Sequence, residues 1–217
     1  MMVKIAHVSD THSRPEIVLG FADSDADLLV ISGDCMDEVG SFMTSKGVQA
    51  KWQDGWMKSQ APSWVKAFKG RPVVAVRGNH DHTGYAKWLK HFGANVYEIT
   101  DEVMHHDLLG LRWAGFRQVP YINGCFAGES RDLSPYVDKV RNLRPDVLVT
   151  HTPPFGILDE GFGCPHLRAY VSSKDHNILA HMFGHCHQDT GYLKAGRVLF
   201  SNGSGALREF EVLGGGS

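Results

Sequence analysis

Cysteine is scarce in this chain of 217 residues, and neither sign of charge dominates. The four cysteines are widely separated and no two have the Cys-x-x-Cys spacing, which argues against a dense disulfide framework or a four-cysteine zinc site. The formal net charge is only −2, so overall electrostatics gives no reason to expect a nucleic acid as partner. The sequence therefore favours a fold stabilised by a hydrophobic core rather than by disulfides.

Long hydrophobic runs are also missing. No uncharged stretch approaches the length that spans a bilayer, and the apolar run before Asp10 is too short for a signal peptide. We therefore expect a cytoplasmic protein without a membrane partner. Residues 1–213 are predicted to form one domain, and the closing Gly-Gly-Gly-Ser at 214–217 is predicted to be a flexible linker or tail.

Short apolar runs recur along the chain, and several end abruptly in polar residues. Their length and their content of Val, Ile, Leu and Ala are typical of strands buried on both faces. Because helical segments separate some of these runs, the pattern predicts an α/β fold with parallel strands. Alternating patterns at 108–116 and 207–213 predict antiparallel pairing as well, in a second sheet. The predicted helices lie around 12–22, 47–69, 84–92 and 134–143.

Polar clusters follow the apolar runs, and they contain five of the thirteen histidines, of which four remain as candidate ligands when His80 is set aside. In open α/β sheets ligands bind at the carboxyl ends of strands, where such clusters converge. With two aspartates and one asparagine, seven side chains provide four contacts to each of two cations if one carboxylate bridges them. This mixed set suits Zn, Fe or Mn better than Ca or Mg. The candidate ligands are Asp10, His12, Asp34, Asn79, His151, His185 and His187.

Two of the clusters place ligands two residues apart. If the segments are extended, Asp10 and His12 point to one side, and so do His185 and His187. The same alternation directs Cys35 and Cys186 away from the site, so we expect packing roles for both thiols.

The ordered motifs resemble those of the calcineurin-like metallophosphoesterase superfamily. They are D-x-H at 10–12, GD-x-x-D at 33–37, GNHD at 78–81, His151 and GH-x-H at 184–187. The segments HTPPFGILDEGFGC and HMFGHCH are similar to those of the metallophosphoesterase-domain branch, whose neighbours include class III cyclic-nucleotide phosphodiesterases. The resemblance implies a two-sheet mixed β-sandwich flanked by helices, a four-layer α/β/β/α fold.

The resemblance also implies a role for each motif residue. Asp34 would bridge two metals, and His80 would contact the phosphate or protonate the leaving oxygen. Asp37 would orient His80, with Asp81 as the competing partner. Protein phosphatases of the superfamily carry Arg-Gly after Asp37, where this chain has Glu38 and Val39, which argues against that activity. The first metal would be held by Asp10, His12 and His187, and the second by Asn79, His151 and His185.

The expected function is therefore hydrolysis of a small phosphate ester by attack of a metal-bound hydroxide, with His80 assisting. The resemblance favours a phosphodiester, with cyclic nucleotides as candidates, over a phosphomonoester. The metals expected are two divalent or trivalent ions of Mn, Fe or Zn. A non-catalytic scaffold that binds proteins is the alternative from another class.

Two further segments leave their roles open. The spacing of Trp52 and Trp56 places both indoles on one helix face, suited to packing, to a pocket wall or to a homodimer interface, and Trp64 follows in the same segment. The residues at 202–204 follow a predicted strand and either reach the rim of the site or form a plain turn.

Overall fold

The computed structural model describes residues 2–41, 43–99, 104–122 and 125–213. Two mixed sheets lie face to face in it, and helices cover the outer face of each. The predicted tail at 214–217 lies outside the described residues. Among the helices of the described ranges, none has both the length and the hydrophobicity required to cross a membrane.

The first sheet has five strands. They are ordered with the last strand of the chain beside the first, antiparallel to it, and all other neighbours are parallel. The strands at Leu28–Ile31 and Val73–Val76 are buried along their whole length, which is why they appear in the sequence as continuous apolar runs. In spatial order the strands are β13 (Arg208–Leu213), β1 (Met2–Val8), β2 (Leu28–Ile31), β3 (Val73–Val76) and β4 (Val96–Ile99).

The second sheet has six strands, of which the inner four are parallel and the two edge strands antiparallel to their neighbours. A separate pair, β7 (Val119–Pro120) and β8 (Glu129–Ser130), lies in the segment after this sheet's second strand. In spatial order the six strands are β11 (Gly191–Ala195), β12 (Val198–Asn202), β10 (Ala180–Phe183), β9 (Val147–Thr150), β6 (Leu111–Phe116) and β5 (Met104–Leu108).

The predicted antiparallel segments both form strands. The segment 108–116 makes the β5–β6 hairpin, whose turn uses left-handed conformations at Leu109 and Gly110. The segment 207–213 becomes β13, but it pairs with β1 in the first sheet, so its predicted place in a second sheet is wrong. Strand β1 is the end of the parallel series and accepts the returning chain along its free edge.

Four helical regions confirm the predicted ones within a few residues, and a fifth helix, α5, was not predicted. The region predicted at 12–22 begins only at Pro15, because His12 and Ser13 have positive φ values of 38° and 67°. The helices are α1 (Pro15–Leu19), which continues into a 3₁₀ turn (Gly20–Ala22), α2 (Lys46–Phe68), α3 (Ala86–His91), α4 (Ser134–Leu143) and α5 (Pro165–Ser172).

Three hydrophobic clusters define the layers. One lies between the first sheet and α1, α2 and α3, and a second between the second sheet and α4 and α5. The third fills the space between the two sheets, where Val30 and Val74 share a cluster with Val149 and Met182. Burial on both faces of both sheets confirms the four-layer α/β/β/α fold.

The two sheets are joined at one end by main-chain hydrogen bonds. The amide of Ser9, just after β1, donates to the carbonyl of Gly203 after β12 over 3.0 Å, and the amide of Gly205 donates to the Ser9 carbonyl over 2.9 Å. This edge is where β1, β2, β3, β9 and β10 all end, so it collects the polar loops of both sheets.

Candidate metal centre

The loops that carry the predicted ligands turn sharply as soon as their strands end. The φ angles are 49° at Asp10, 38° at His12, 54° at Asp34 and 71° at His185, a left-handed conformation that costs a non-glycine residue about 1–3 kcal/mol. The expectation that these ligand pairs lie on extended segments is therefore wrong. Strain concentrated in four of the seven predicted ligands indicates a site whose geometry the surrounding fold imposes.

One group of ligand atoms comes from Asp10, His12 and His187. The Nε2 atoms of the two histidines lie 3.3 Å apart, and His187 Nε2 is 3.2 Å from Asp10 Oδ1. His12 Nδ1 lies 3.1 Å from Glu38 Oε1, so it is suited to donate its proton there and to present a bare Nε2 to the site. Two imidazole nitrogens and a carboxylate oxygen that meet in this way fit one cation.

A second group surrounds His151, which is fully buried. Its Nδ1 donates to the Ser32 carbonyl over 2.7 Å, which directs Nε2 at Asp34 Oδ2, 3.0 Å away, and at Asn79 Oδ1, 3.1 Å away. Asn79 Oδ1 also lies 3.0 Å from His185 Nδ1. The second group therefore brings together the three predicted ligands of the second metal and the predicted bridging aspartate.

The electrostatics around His151 favours a cation. Burial lowers the pKa of His151, but the negative charges of Asp34 and Asp10 outweigh it and raise the pKa to about 10. Burial raises the pKa of Asp10, but His151 and His187 outweigh it and lower that pKa to about 2. The buried carboxylates of Asp10 and Asp34 are thus ionised, and their negative charges would attract the predicted metal ions. The donor set fits transition-metal ions.

Two of the three ligand clusters among the described residues share Asp10. It belongs to one group with His12 and His187 and to another with Asp34 and His151, with all ligand atoms of each group within 4.8 Å of one another. The predicted bridge, Asp34, contacts His151 and accepts the backbone N–H of His80 over 2.8 Å. The bridging role of Asp34 stays a prediction.

His80 pairs with Glu38 and not with Asp37. Its Nδ1 lies 2.9 Å from Glu38 Oε1, the same oxygen that meets His12. Burial lowers the pKa of His80, but the charges of Asp34 and Glu38 outweigh it and raise the pKa to about 9. Glu38 therefore makes the contact with His80 that was predicted for Asp37.

The predicted pairing of Asp37 with His80 is wrong because the side chain of Asp37 faces the other way. Its Oδ1 accepts the hydroxyl of Ser13 in a short hydrogen bond, and its Oδ2 accepts the indole N–H of Trp52 over 2.9 Å. Neighbouring side chains in a turn point in different directions, and the spacing of the motif does not show which of the two carboxylates, Asp37 or Glu38, faces His80. The departure of Glu38 from the protein-phosphatase pattern was the available signal.

Asp81, the competing partner of His80, supports the loops instead. Its Oδ2 accepts the backbone N–H groups of Asp34 and Gly78 over 2.7 and 2.9 Å and the hydroxyl of Tyr85 over 2.6 Å. Burial and the charge of Asp34 raise the pKa of Asp81 to about 6. It thus fixes the turn that presents Asp34 and the turn that begins the loop of His80.

Asn202 and Ser204 take part in the site in a way that sequence reasoning left open. Asn202 Nδ2 donates to the carbonyls of Cys186 and Asp189 over 2.7 and 3.0 Å. Its Oδ1 accepts the backbone N–H of Ser204 over 3.1 Å, and the Ser204 hydroxyl donates to Asp10 Oδ2 over 2.9 Å. The pair therefore holds the loop of His185 and His187 against Asp10, and its position at the end of β12 was the signal.

The thiols beside the predicted ligands are buried and face backbone carbonyls. Cys35 Sγ lies 3.4 Å from the Gly33 carbonyl, and Cys186 Sγ lies 2.9 Å from that of Asp159. Burial and nearby carboxylates raise the pKa of Cys186 to about 12. Both thiols are therefore protonated near neutral pH, as expected for packing residues.

The tryptophans of α2 divide between core and surface. Trp64 is buried in the core, and Trp56 packs edge-to-face against it with ring centroids 5.9 Å apart. Trp52 is 47% exposed, and together with Trp56 and Val39 it lines an open cavity of about 660 Å³. Trp64 therefore has a packing role, Trp52 forms part of the cavity wall, and Trp56 contributes to both.

Three solved structures are similar to this chain to different degrees. One solved crystal structure has 14% sequence identity over 94% of this chain and 91% of its own, with a TM-score of 0.66, which shows a shared fold. A predicted phosphoesterase from Streptococcus pneumoniae TIGR4 has 16% identity over 97% of this chain and 83% of its own, with a TM-score of 0.45. A novel archaeal phosphodiesterase has 15% identity over 97% and 99%, with a TM-score of 0.46.

No curated protein is significantly similar in sequence. The family model of the calcineurin-like phosphoesterases matches residues 3–189, which include every predicted metal ligand and His80. That family is metal-dependent, in agreement with the convergence of nitrogen and oxygen ligands at the edge of the sheets. The chain belongs to the calcineurin-like phosphoesterase family.

Proposed function

We propose that this protein is a phosphodiesterase that uses two transition-metal ions. The observation that carries the proposal is the arrangement around His151, whose Nε2 faces the oxygens of Asp34 and Asn79 while Nδ1 donates to Ser32. Family membership supports a phosphoesterase and metal dependence. The preference for a diester, the identity of the metals and the role of each residue belong to the proposal.

Seven side chains would hold the ions. When bound, the ions would supply a water molecule activated near neutral pH and would neutralise the charge of the phosphate oxygens. Mn, Fe and Zn suit the mixture of imidazole, carboxylate and amide ligands. The first ion is assigned to Asp10, His12 and His187, the second to Asn79, His151 and His185, and Asp34 is assigned to both.

His80 is assigned to the leaving group. Because Glu38 lies against Nδ1, the Nε2 of His80 is the atom left to face a substrate. A pKa of about 9 keeps the imidazole protonated at neutral pH, so that it has a proton to donate to the departing alkoxide. Proton donation matters most for alcohols that leave poorly.

The charges at the rim are paired and do not by themselves select a diester substrate. Glu38 is an ionised carboxylate whose pKa is lowered to about 2, because His12 and His80 outweigh the effect of its burial. A phosphomonoester carries a charge of about −1.5 to −2 at pH 7, whereas a diester carries a single negative charge. Because protonated His80 lies against Glu38, the two charges offset each other, and the preference for a diester rests on the resemblance to the metallophosphoesterase-domain branch.

A substrate pair tests the proposal directly. We expect the protein with added Mn²⁺ to hydrolyse bis(p-nitrophenyl) phosphate faster than p-nitrophenyl phosphate, and to lose both activities when a chelator removes the ion. Fe²⁺ and Zn²⁺ would be tested in parallel. Faster hydrolysis of the monoester would overturn the preference for diesters. A folded protein inactive with all three ions would overturn the enzymatic assignment and favour a scaffold.

A further inference from the structure

The inward face of α2 changes character along its length. From its middle onward the face is apolar and packs in the core, but its first two turns bury two glutamines that are 2% and 0% exposed. The spacing of three and four residues places all these side chains on one side of the helix. In order along the helix, the buried residues on this face are Gln49, Gln53, Met57, Ala61, Trp64 and Phe68.

Gln49 holds the residue that follows Glu38. Its Oε1 accepts the backbone N–H of Val39 over 3.1 Å, and its Nε2 donates to the Val39 carbonyl over 2.9 Å. Both ends of one side-chain amide are thus engaged by a single residue. The backbone beside Glu38 is therefore fixed relative to α2.

Gln53, one turn later, holds the loop of His80 in the same manner. Its Nε2 donates to the His80 carbonyl over 2.7 Å, and its Oε1 accepts the backbone N–H of His82 over 2.7 Å. The N–H of His80 is engaged separately by Asp34. The peptide groups on both sides of His80 are therefore anchored, one to the metal centre and one to α2.

Burying two side-chain amides costs free energy that a helix with only a packing role would avoid. Burying an amide costs about 1–3 kcal/mol unless its hydrogen bonds are made. An apolar residue such as the Met57 that follows would stabilise the same face with no such requirement. Here all four bonds of the two amides go to the loops that carry Glu38 and His80.

We infer that Gln49 and Gln53 are positioning residues that set the separation of the Glu38 carboxylate and the His80 imidazole. The inference rests on the proposed function, since it gives these glutamines a purpose only if His80 acts in catalysis. The helix joins two loops that follow different strands, β2 and β3. Small displacements of either loop would move His80 away from the leaving oxygen without disturbing the buried ligands.

The test uses two diesters that differ only in their leaving group, methyl p-nitrophenyl phosphate and methyl phenyl phosphate. Nitrophenolate leaves readily, whereas phenolate depends on a proton donor. In Gln53→Met we expect turnover of the phenyl ester to fall about 10- to 100-fold and that of the nitrophenyl ester to fall no more than about 3-fold. KM and metal content stay close to those of the unaltered protein.

Two further variants on the same helix make the experiment specific. Gln60→Met is the matched control, because Gln60 is half-buried and its amide contacts only the neighbouring Ser59 among the described residues. It should leave both turnovers unchanged. Gln49→Met should resemble Gln53→Met, and it replaces that variant if Gln53→Met does not give a cooperative thermal transition.

A double variant separates positioning from a merely structural role. If Gln53 acts through His80, Gln53→Met should add almost nothing to His80→Ala in the turnover of the phenyl ester. Equal slowing of the two esters by Gln53→Met, or additive effects in the double variant, would overturn the inference. Hydrolysis of the nitrophenyl ester by the unaltered protein tests the proposed function independently, so the two failures are distinguishable.

Discussion

The floor and the rim of the site are built differently. The floor comprises Asp10, Asp34, Asn79 and His151, which are at most 2% exposed. The rim comprises His12, Glu38, His80 and His187, whose side chains are between 25% and 56% exposed. The floor lies directly against the ends of strands from both sheets. The rim is held by contacts between loops and, through two glutamines, by α2.

This difference separates two tasks. Floor residues are fixed by main-chain groups of the core, such as the Ser32 carbonyl that orients His151. Their displacement would require a change in the sheets themselves. Rim residues are fixed by a few side-chain bonds and are open to solvent, where a substrate arrives. We therefore expect substitutions in the floor to affect metal binding, and substitutions of Glu38 and His80, the rim residues that are not predicted ligands, to affect turnover.

The largest expected effect comes from Asp34→Ala in the floor. The change removes the carboxylate that faces His151 Nε2 and accepts the N–H of His80, so neither ion should bind in its paired position. We expect phosphodiesterase activity to fall by at least about 1,000-fold. Elemental analysis of the purified protein should show that less than the full complement of metal is retained.

His80→Ala in the rim is the counterpart of that variant. It removes the proposed proton donor and leaves all seven predicted ligands in place, so metal content should stay near normal while turnover falls. If His80→Ala loses both metals, or Asp34→Ala keeps both, the division into floor and rim is wrong.

A smaller effect is expected from replacing the partner of His80. Glu38→Gln keeps the shape of the side chain but removes the charge that orients and protonates His80, so we expect turnover to fall about 10- to 100-fold. Asp37→Asn is the matched control, since Asp37 contacts Ser13 and Trp52 and should change turnover by less than about 3-fold. Steady-state kinetics on a diester with a poor leaving group measures both.

The same variant predicts a shift in pH dependence. Glu38 raises the pKa of His80, so its removal lowers that pKa. Because a proton donor must be protonated, activity that depends on it is present below the pKa and lost as the pH rises through it. The basic limb of the pH–rate profile should therefore move to lower pH in Glu38→Gln. An unchanged limb, or equal effects of Glu38→Gln and Asp37→Asn, would contradict the assignment.

Much of the floor could be predicted because the ends of its buried strands can be recognised in the sequence. Strands such as β2 and β3 are buried on both faces and appear as continuous apolar runs. The polar residue that follows each run must lie at the edge of its sheet, and parallel strands bring these edges together. Asp34 and Asn79 were located by that argument.

The rim was less predictable because loop side chains take their directions from tertiary contacts. Asp37 and Glu38 are adjacent carboxylates, and the choice between them depends on the hydrogen bond that Trp52 of α2 offers to Asp37. Gln49 and Gln53 carried no motif, since a glutamine on a helix usually faces solvent. Helix α5 was missed because its eight residues give only two turns of pattern between loops.

The smallest expected effect comes from Ser204→Ala, which tests how firmly the floor is held. The hydroxyl donates to Asp10 Oδ2, which also accepts the backbone N–H of His185 over 2.9 Å, so the carboxylate loses one of its supports. Outer contacts of this kind contribute to metal affinity, and we expect a decrease of about 10-fold in a chelator competition. Ser201→Ala is the matched control: its hydroxyl contacts the buried His7 and no predicted ligand. It should lower the melting temperature without weakening metal binding, and equal affinity losses in the two variants would mean that Ser204 acts only through stability.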